Sequence, residues 1–372
     1  MIRADRLKAL FLDLVRIDSP SRRERRIAER LAAELGALDA EVMLDGAHEA
    51  VGGEVGNLVA RIPGAGDAAP FLLCAHMDTV EPGKGVWPVD EGDVIRSDGT
   101  TVLGGDDKSG IAIVCETLRA AREHGVRHPP IDVVFTVCEE VGLLGARHLD
   151  LALVGARRGL VFDSDAPGMV FTRAPGLDRI DAVVHGSAHA AAAPEEGGSA
   201  IRVAAEAIAA MRLGRVDPET TATVGVIGRG RAIVMVRGEV RLQGEARSHD
   251  VARLDAQCAH MRACFEEAAA RHPGARVEFS AERVYLPMAV PSDAPVLRLL
   301  RAAAGRIGRP MRSAGMGGGC DANVLNRRGF EVVNLGTGMR DIHTTAESVR
   351  VSDMVAAAEV TLATIALAAE ST

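Results

Sequence analysis

Apolar side chains recur at helical spacing over residues 5–17 and 22–36, which predicts two helices at the start of the chain. Between them, the serines of Ser19-Pro-Ser21 offer capping hydroxyls for the second helix. Short apolar runs follow. Asn57-Leu-Val-Ala-Arg-Ile62, Phe71-Leu-Leu-Cys-Ala75, Ile131-Asp-Val-Val-Phe-Thr-Val137 and Gly159-Leu-Val-Phe162 read as strands. A helix over residues 107–124, after Gly104-Gly105 and ending near Gly125, separates the second run from the third. Strand, helix, strand is the order of a partly parallel sheet with helices on both faces.

The pattern changes near Leu177. Strand Arg179–His185, helix Ser199–Met211, two strands around Gly228-Arg-Gly230 and Val236-Arg-Gly238, helix Val251–Arg271 and strand Arg276–Ser280 give a β-α-β-β-α-β order. That order is ferredoxin-like. Helix 294–307, the glycine-rich Gly315-Met-Gly-Gly-Gly319, strand Glu331–Leu335 and helix Val351–Ala369 then resume the first pattern. The expected organisation is an α/β domain over residues 1–176 and 284–372, interrupted by an α+β insert over residues 177–283.

Composition agrees with this division. A chain of 372 residues exceeds what one core usually holds, and 47% apolar with 3% aromatic residues implies a core of Ala, Val, Leu and Ile. A net charge of −8, with one Trp and one Tyr, argues against a nucleic-acid partner, which needs a basic footprint and stacking rings. No apolar run reads as a membrane span, and the charged opening Met-Ile-Arg-Ala-Asp-Arg-Leu-Lys lacks the apolar core of a signal peptide, so a soluble cytoplasmic protein without a membrane partner is expected. Cys74, Cys115, Cys138, Cys258, Cys264 and Cys320 are scattered with no Cys-x-x-Cys pair, which points to small core residues.

The candidate chemistry gathers at strand ends. His76 and Asp78 follow the run 71–75, where open α/β sheets place their sites. The pair is either an ordinary loop feature or a metal ligand whose second ring nitrogen is held by Asp78. Asp106 and Asp107 follow a double glycine at a helix start, where one can cap the helix and the other can face a metal. Glu139 and Glu140 end the run 131–137, although adjacent strand residues should point to opposite faces. With Asp163 after the fourth run and His343 in a distant loop, the acidic strand ends would repel one another unless a cation lay among them. Imidazoles and carboxylates together suit zinc, manganese or cobalt at a two-metal hydrolytic centre. There is no His-Glu-x-x-His, no Gly-x-Ser-x-Gly elbow and no phosphate loop.

Six segments, in order along nearly the whole chain, resemble the dinuclear zinc exopeptidase family of peptidase T, glutamate carboxypeptidase, aminoacylase and succinyl-diaminopimelate desuccinylase. They are His76-Met-Asp-Thr-Val80, Gly104-Gly-Asp-Asp-Lys-Ser-Gly110, Cys138-Glu-Glu-Val-Gly-Leu-Leu-Gly145, Gly244-Glu-Ala-Arg-Ser-His249, Gly317-Gly-Gly-Cys-Asp-Ala-Asn323 and His343-Thr-Thr-Ala-Glu347. The likeness is greatest to peptidase T-like proteins. It implies two zinc ions per subunit, or manganese or cobalt, with Asp106 bridging, His76 and Asp163 on one ion, and Glu140 and His343 on the other. It makes Glu139 the general base, Asp78 the residue that orients His76, and Asp321, Arg247 and His189 substrate-binding residues. A cis bond between Asp106 and Asp107, and a homodimer formed through the insert as a lid, are further implications. Val234 stands where relatives usually carry a substrate-touching Asn, and the lid motif is one residue short before His189, with Ala191 in place of the usual Gly.

The resemblance implies an aminopeptidase for short peptides, tripeptidase-like, because family carboxypeptidases and deacylases usually carry Glu where this chain has Asp163. The alternatives are an N-acyl amino acid amidohydrolase or carboxypeptidase, and a catalytically idle metal-binding homologue.

Overall fold

The computed structural model describes residues 1–65, 68–186, 199–228 and 238–370. It forms two compact units. One comprises Met1–Arg173, Ala289–Met316 and Cys320–Thr372; the other comprises Ala174–Met288 and Gly317–Gly319.

In the first unit the strands Ile131–Thr136, Phe71–His76, Arg158–Val161 and Glu331–Leu335 lie side by side and parallel. Strand Leu58–Ile62 joins Ile131–Thr136 antiparallel, and Glu41–Leu44 extends that edge. Every residue of Phe71–His76 and Ile131–Thr136 is buried, as expected of strands covered on both faces, which is why they read as mainly apolar runs without alternation. Helix Gly105–Glu123 packs on strand Phe71–His76, and helix Val351–Ala368 packs in turn on Gly105–Glu123 and on Pro295–Arg306. This last helix corrects one sequence expectation. Its 18 residues, with mean hydropathy 1.6, are long and apolar enough to cross a membrane by length and composition alone, and 56% of it is buried in the fold, as in the core helix of a soluble protein.

Two further differences concern a helix start and a small second sheet. The second helix runs from Arg25 to Gly36, too far from Ser19 and Ser21 for either to cap it, and Ser21 Oγ instead donates to Asp78 Oδ2 at 2.6 Å. A separate four-stranded sheet, in the order Met339–Arg340, Ser348–Arg350, Val94–Arg96, Val89–Asp90, was not foreseen. Strands of two or three residues show no periodicity to read. This sheet matters because its hairpin holds residues 341–347, and so His343, at a fixed place.

The second unit is an antiparallel sheet with helices Ala200–Ala210 and Val251–Ala270 packed on it. Its strand order is Gly214–Asp217, Thr220–Gly228, Glu239–Ser248, Gly176–His185, Arg276–Tyr285, which is the ferredoxin-like arrangement with one extra edge strand. All six cysteines are free and buried.

Candidate metal centre

The four parallel strands end at one edge of the sheet, and the polar residues begin where they stop. His76 is the last residue of its strand and 2% exposed. Its Nε2 lies 2.9 Å from Asp106 Oδ1, and its Nδ1 lies 2.9 Å from the Asp78 carbonyl oxygen. The Asp78 carboxylate is further off, at 3.5 Å from Nδ1. It accepts instead from the Glu139 amide at 2.9 Å and the Glu140 amide at 3.2 Å.

Asp106 and Asp107 divide the two tasks weighed for them. Gly104, with φ of 74°, turns the chain into the helix, and Asp106 and Asp107 themselves have non-helical dihedrals joined by a cis peptide bond. Asp107 Oδ1 accepts from the Gly110 amide at 3.1 Å, as an N-cap does, and its Oδ2 accepts from the His76 amide at 3.2 Å. Asp106 is left free of capping. One of its oxygens faces His76, and the other lies 3.1 Å from His343 Nε2.

His343 Nε2 is also 3.0 Å from Glu140 Oε2. Ligand atoms of His76, Asp106 and Glu140 lie within 4.8 Å of one another, and so do those of His76, Glu139 and Asp163. Asp163 is aimed by Asn334, whose Oδ1 accepts from the Asp163 amide at 2.8 Å. The alternation puzzle at Glu139 and Glu140 resolves locally: the strand stops at Thr136, and Cys138 has φ of 54°, so the pleat no longer governs where the next side chains point.

Asp321 is 2% exposed; its Oδ2 accepts from Thr136 Oγ1. Burial pushes its carboxyl up to about 6. Arg247 belongs to the second unit, on strand Glu239–Ser248, where its guanidinium pairs with Glu245 at 2.7 Å. His189, Ala191 and Val234 lie outside the described residues.

Glu347 is a residue of the centre that the sequence offered without a role. Buried at 1% exposure, it accepts from the amides of Leu103 at 2.7 Å, Gly104 at 2.8 Å and Asp106 at 3.0 Å. One carboxylate thereby ties the loop of Asp106 to the loop of His343. Its position four residues after His343 was the available signal.

The electrostatics fit a cation. Burial pushes the Glu139, Glu140 and Asp163 carboxyls up, and neighbouring carboxylates add to the effect, Asp163 on Glu139 and Asp106 on the other two. Burial acts on Asp106 in the same sense, but hydrogen bonds from His343 and His76 outweigh it and hold that carboxyl below the usual range. Contacts with Asp106 and Glu140 raise His343 to about 10. Four crowded carboxylates and two imidazoles, with no thiolate among the facing atoms, are the donor set that a borderline divalent cation neutralises.

A mixed sheet whose parallel strands end at such a cluster is the type of architecture that suits a metallohydrolase. Residues 72–367 match peptidase family M20/M25/M40. The chain belongs to that family. It is 38% identical to the uncharacterized protein YqjE of Bacillus subtilis, with 100% of each chain covered. Among solved structures, a tripeptidase of Staphylococcus aureus is 36% identical with a TM-score of 0.93, covering 100% of both chains. The aminopeptidase PepT of Bacillus cereus is 37% identical with a TM-score of 0.87, covering 99% of both.

Proposed function

We propose that this protein is a dinuclear metal-dependent aminopeptidase that hydrolyses short peptides, tripeptides foremost. The observation that carries the reading is the Asp106 carboxylate, which presents one oxygen to His76 and the other to His343, as a residue shared by two ions must. His76 and Asp163 would hold one ion, Glu140 and His343 the other, and Asp106 both. Relatives named for aminopeptidase and tripeptidase activity across the full chain length support the substrate class.

Bound there, two divalent cations would polarise the scissile carbonyl and lower the pKa of the attacking water. Glu139, buried and raised by burial and by Asp163, is suited to take that proton and to hold it. It then returns the proton to the departing amine, so one residue acts as base and afterwards as acid. Asp78 and Glu347 keep the ligand loops in register by accepting their amides. Asp321 and Arg247 are proposed to bind substrate, Arg247 through the bidentate geometry that a guanidinium offers a carboxylate. On the family resemblance, we further propose zinc as the ion, a cytoplasmic location, and a homodimer formed through the insert.

A panel of tripeptides with free amino termini, their N-acetylated forms, and N-acyl amino acids tests the reading. Cleavage of the free tripeptides fastest is the expected result. Faster cleavage of the acyl compounds would replace it with an amidohydrolase, and no turnover of any compound by the metal-loaded protein would leave a binding protein.

A further inference from the structure

The segment that carries Glu139 and Glu140 begins where strand Ile131–Thr136 ends, so the sheet ladder does not serve its amides. All four N–H groups nevertheless find acceptors on side chains. The Val137 amide donates to Asn57 Oδ1 at 3.0 Å, the Cys138 amide to Glu24 Oε1 at 3.0 Å, and the Glu139 and Glu140 amides to the two oxygens of Asp78. Asn57, Glu24 and Asp78 are each 0% exposed. They come from three separate segments, and they grip a chain whose middle residue, Cys138, has φ of 54°. Such a backbone is held by its surroundings.

The three acceptors are not equivalent. Asp78 also faces the His76 ring, and Asn57 also donates to Asp45 and to the Gly145 carbonyl, so each has a second task. Among the described residues, the hydrogen bonds of Glu24 go to the Arg22 amide at 2.8 Å and to the Cys138 amide and thiol. Arg22 belongs to its own turn. The reach of Glu24 beyond its own segment is therefore to Cys138 alone, the residue immediately before the proposed base.

We propose that Glu24 is a positioning residue which, by accepting the Cys138 amide proton, fixes the left-handed kink that aims Glu139 and Glu140 into the metal centre. This rests on the roles proposed above for those two glutamates. The reach of the carboxylate is what matters, since the acceptor oxygen must lie about 3 Å from one amide. A shift of a base or ligand by about 1 Å from a remote change can cost about 100-fold in rate.

Three substitutions separate reach from charge. E24Q keeps the length and one acceptor oxygen, E24D keeps the charge but withdraws it by one methylene, and E24A removes both. Each is measured as folded protein for kcat and KM on a tripeptide, and for zinc affinity by chelator competition, which needs no substrate. E24A and E24D should lower kcat about 10- to 100-fold with KM nearly unchanged. They should also weaken zinc binding about 10- to 100-fold, because Glu140 lies on the same turn. E24Q should stay within about threefold of the unaltered protein in both measures, a rescue that reach explains. If only the thermal midpoint falls while kcat and zinc affinity hold, Glu24 is scaffold and the proposal fails. It fails equally if E24D is spared while E24Q is damaged, since charge and not reach would then be at work. Should the unaltered protein cleave no peptide, the functional reading fails alone, and zinc affinity still decides the part played by Glu24. If E24A does not fold, E24D and E24Q carry the comparison.

Discussion

The two units solve the same packing problem and treat charge in opposite ways. In the insert, strand Gly176–His185 alternates buried and partly exposed residues along its length, with an apolar face against two helices and a wet face outward. Its buried carboxylate, Asp178, is closed off by the guanidinium of Arg283. In the first unit, strands Phe71–His76 and Ile131–Thr136 are buried throughout, and their carboxyl ends lead into a crowd of largely buried carboxylates. Burying a charge without a partner is costly, so each of these groups must have an occupation. They have two. Asp78, Glu347 and Glu24 accept backbone amides and tie loops together, whereas Asp106, Glu139, Glu140 and Asp163 face one another and two imidazoles. A buried carboxylate in this protein is thus either a holder or a member of the site, and its donors tell which.

The largest expected effect breaks the second group. E139Q should lower kcat about 100- to 10,000-fold, the range of a lost general base, while metal content measured by elemental analysis stays at the unaltered level. A variant that lost its metal as well would make Glu139 a ligand. A holder should behave differently. E347A leaves the amides of Leu103, Gly104 and Asp106 without their acceptor, and should cost about 1–3 kcal/mol in urea unfolding as well as lowering metal content. Loss of activity with unchanged stability would contradict the holder role.

The insert should yield the smallest effect. The His272 ring at 3.0 Å and a hydrogen bond from Arg202 hold the half-buried Glu206 carboxyl down at about 2, against an ordinary 4.5. A carboxyl lowered in the folded state stabilises the fold above its ordinary value, and that contribution fades as the pH falls from 4.5 towards 2. E206Q should flatten this acid limb slightly in a pH series of unfolding curves and leave kcat alone.

Much of this was legible before the structure. The runs at 71–75 and 131–137 became buried parallel strands because apolar residues on both sides of the pleat mean cover on both faces, and the helix after Gly104-Gly105 lies where its glycines put it. The facing carboxylates were legible too, because each stands just past a strand or helix boundary that local pattern reveals. The holders were not. Glu347 grips Asp106 across 241 residues, and Glu24 grips Cys138 across 114, and such a relation leaves no mark on the neighbouring sequence. The serines at 19 and 21 misled for the same reason: a hydroxyl near a helix start suggests a cap, and the long-range partner of Ser21, Asp78, could not be read locally.

In the proposed centre one carboxylate, Asp106, joins two metal ions. Counting bound zinc per chain in the unaltered protein and in D106A, after loading and desalting, tests it most directly. Two ions per chain, falling to none or nearly none in the variant, is the expected result. A count of two in both proteins, or of none in the unaltered one, would contradict it.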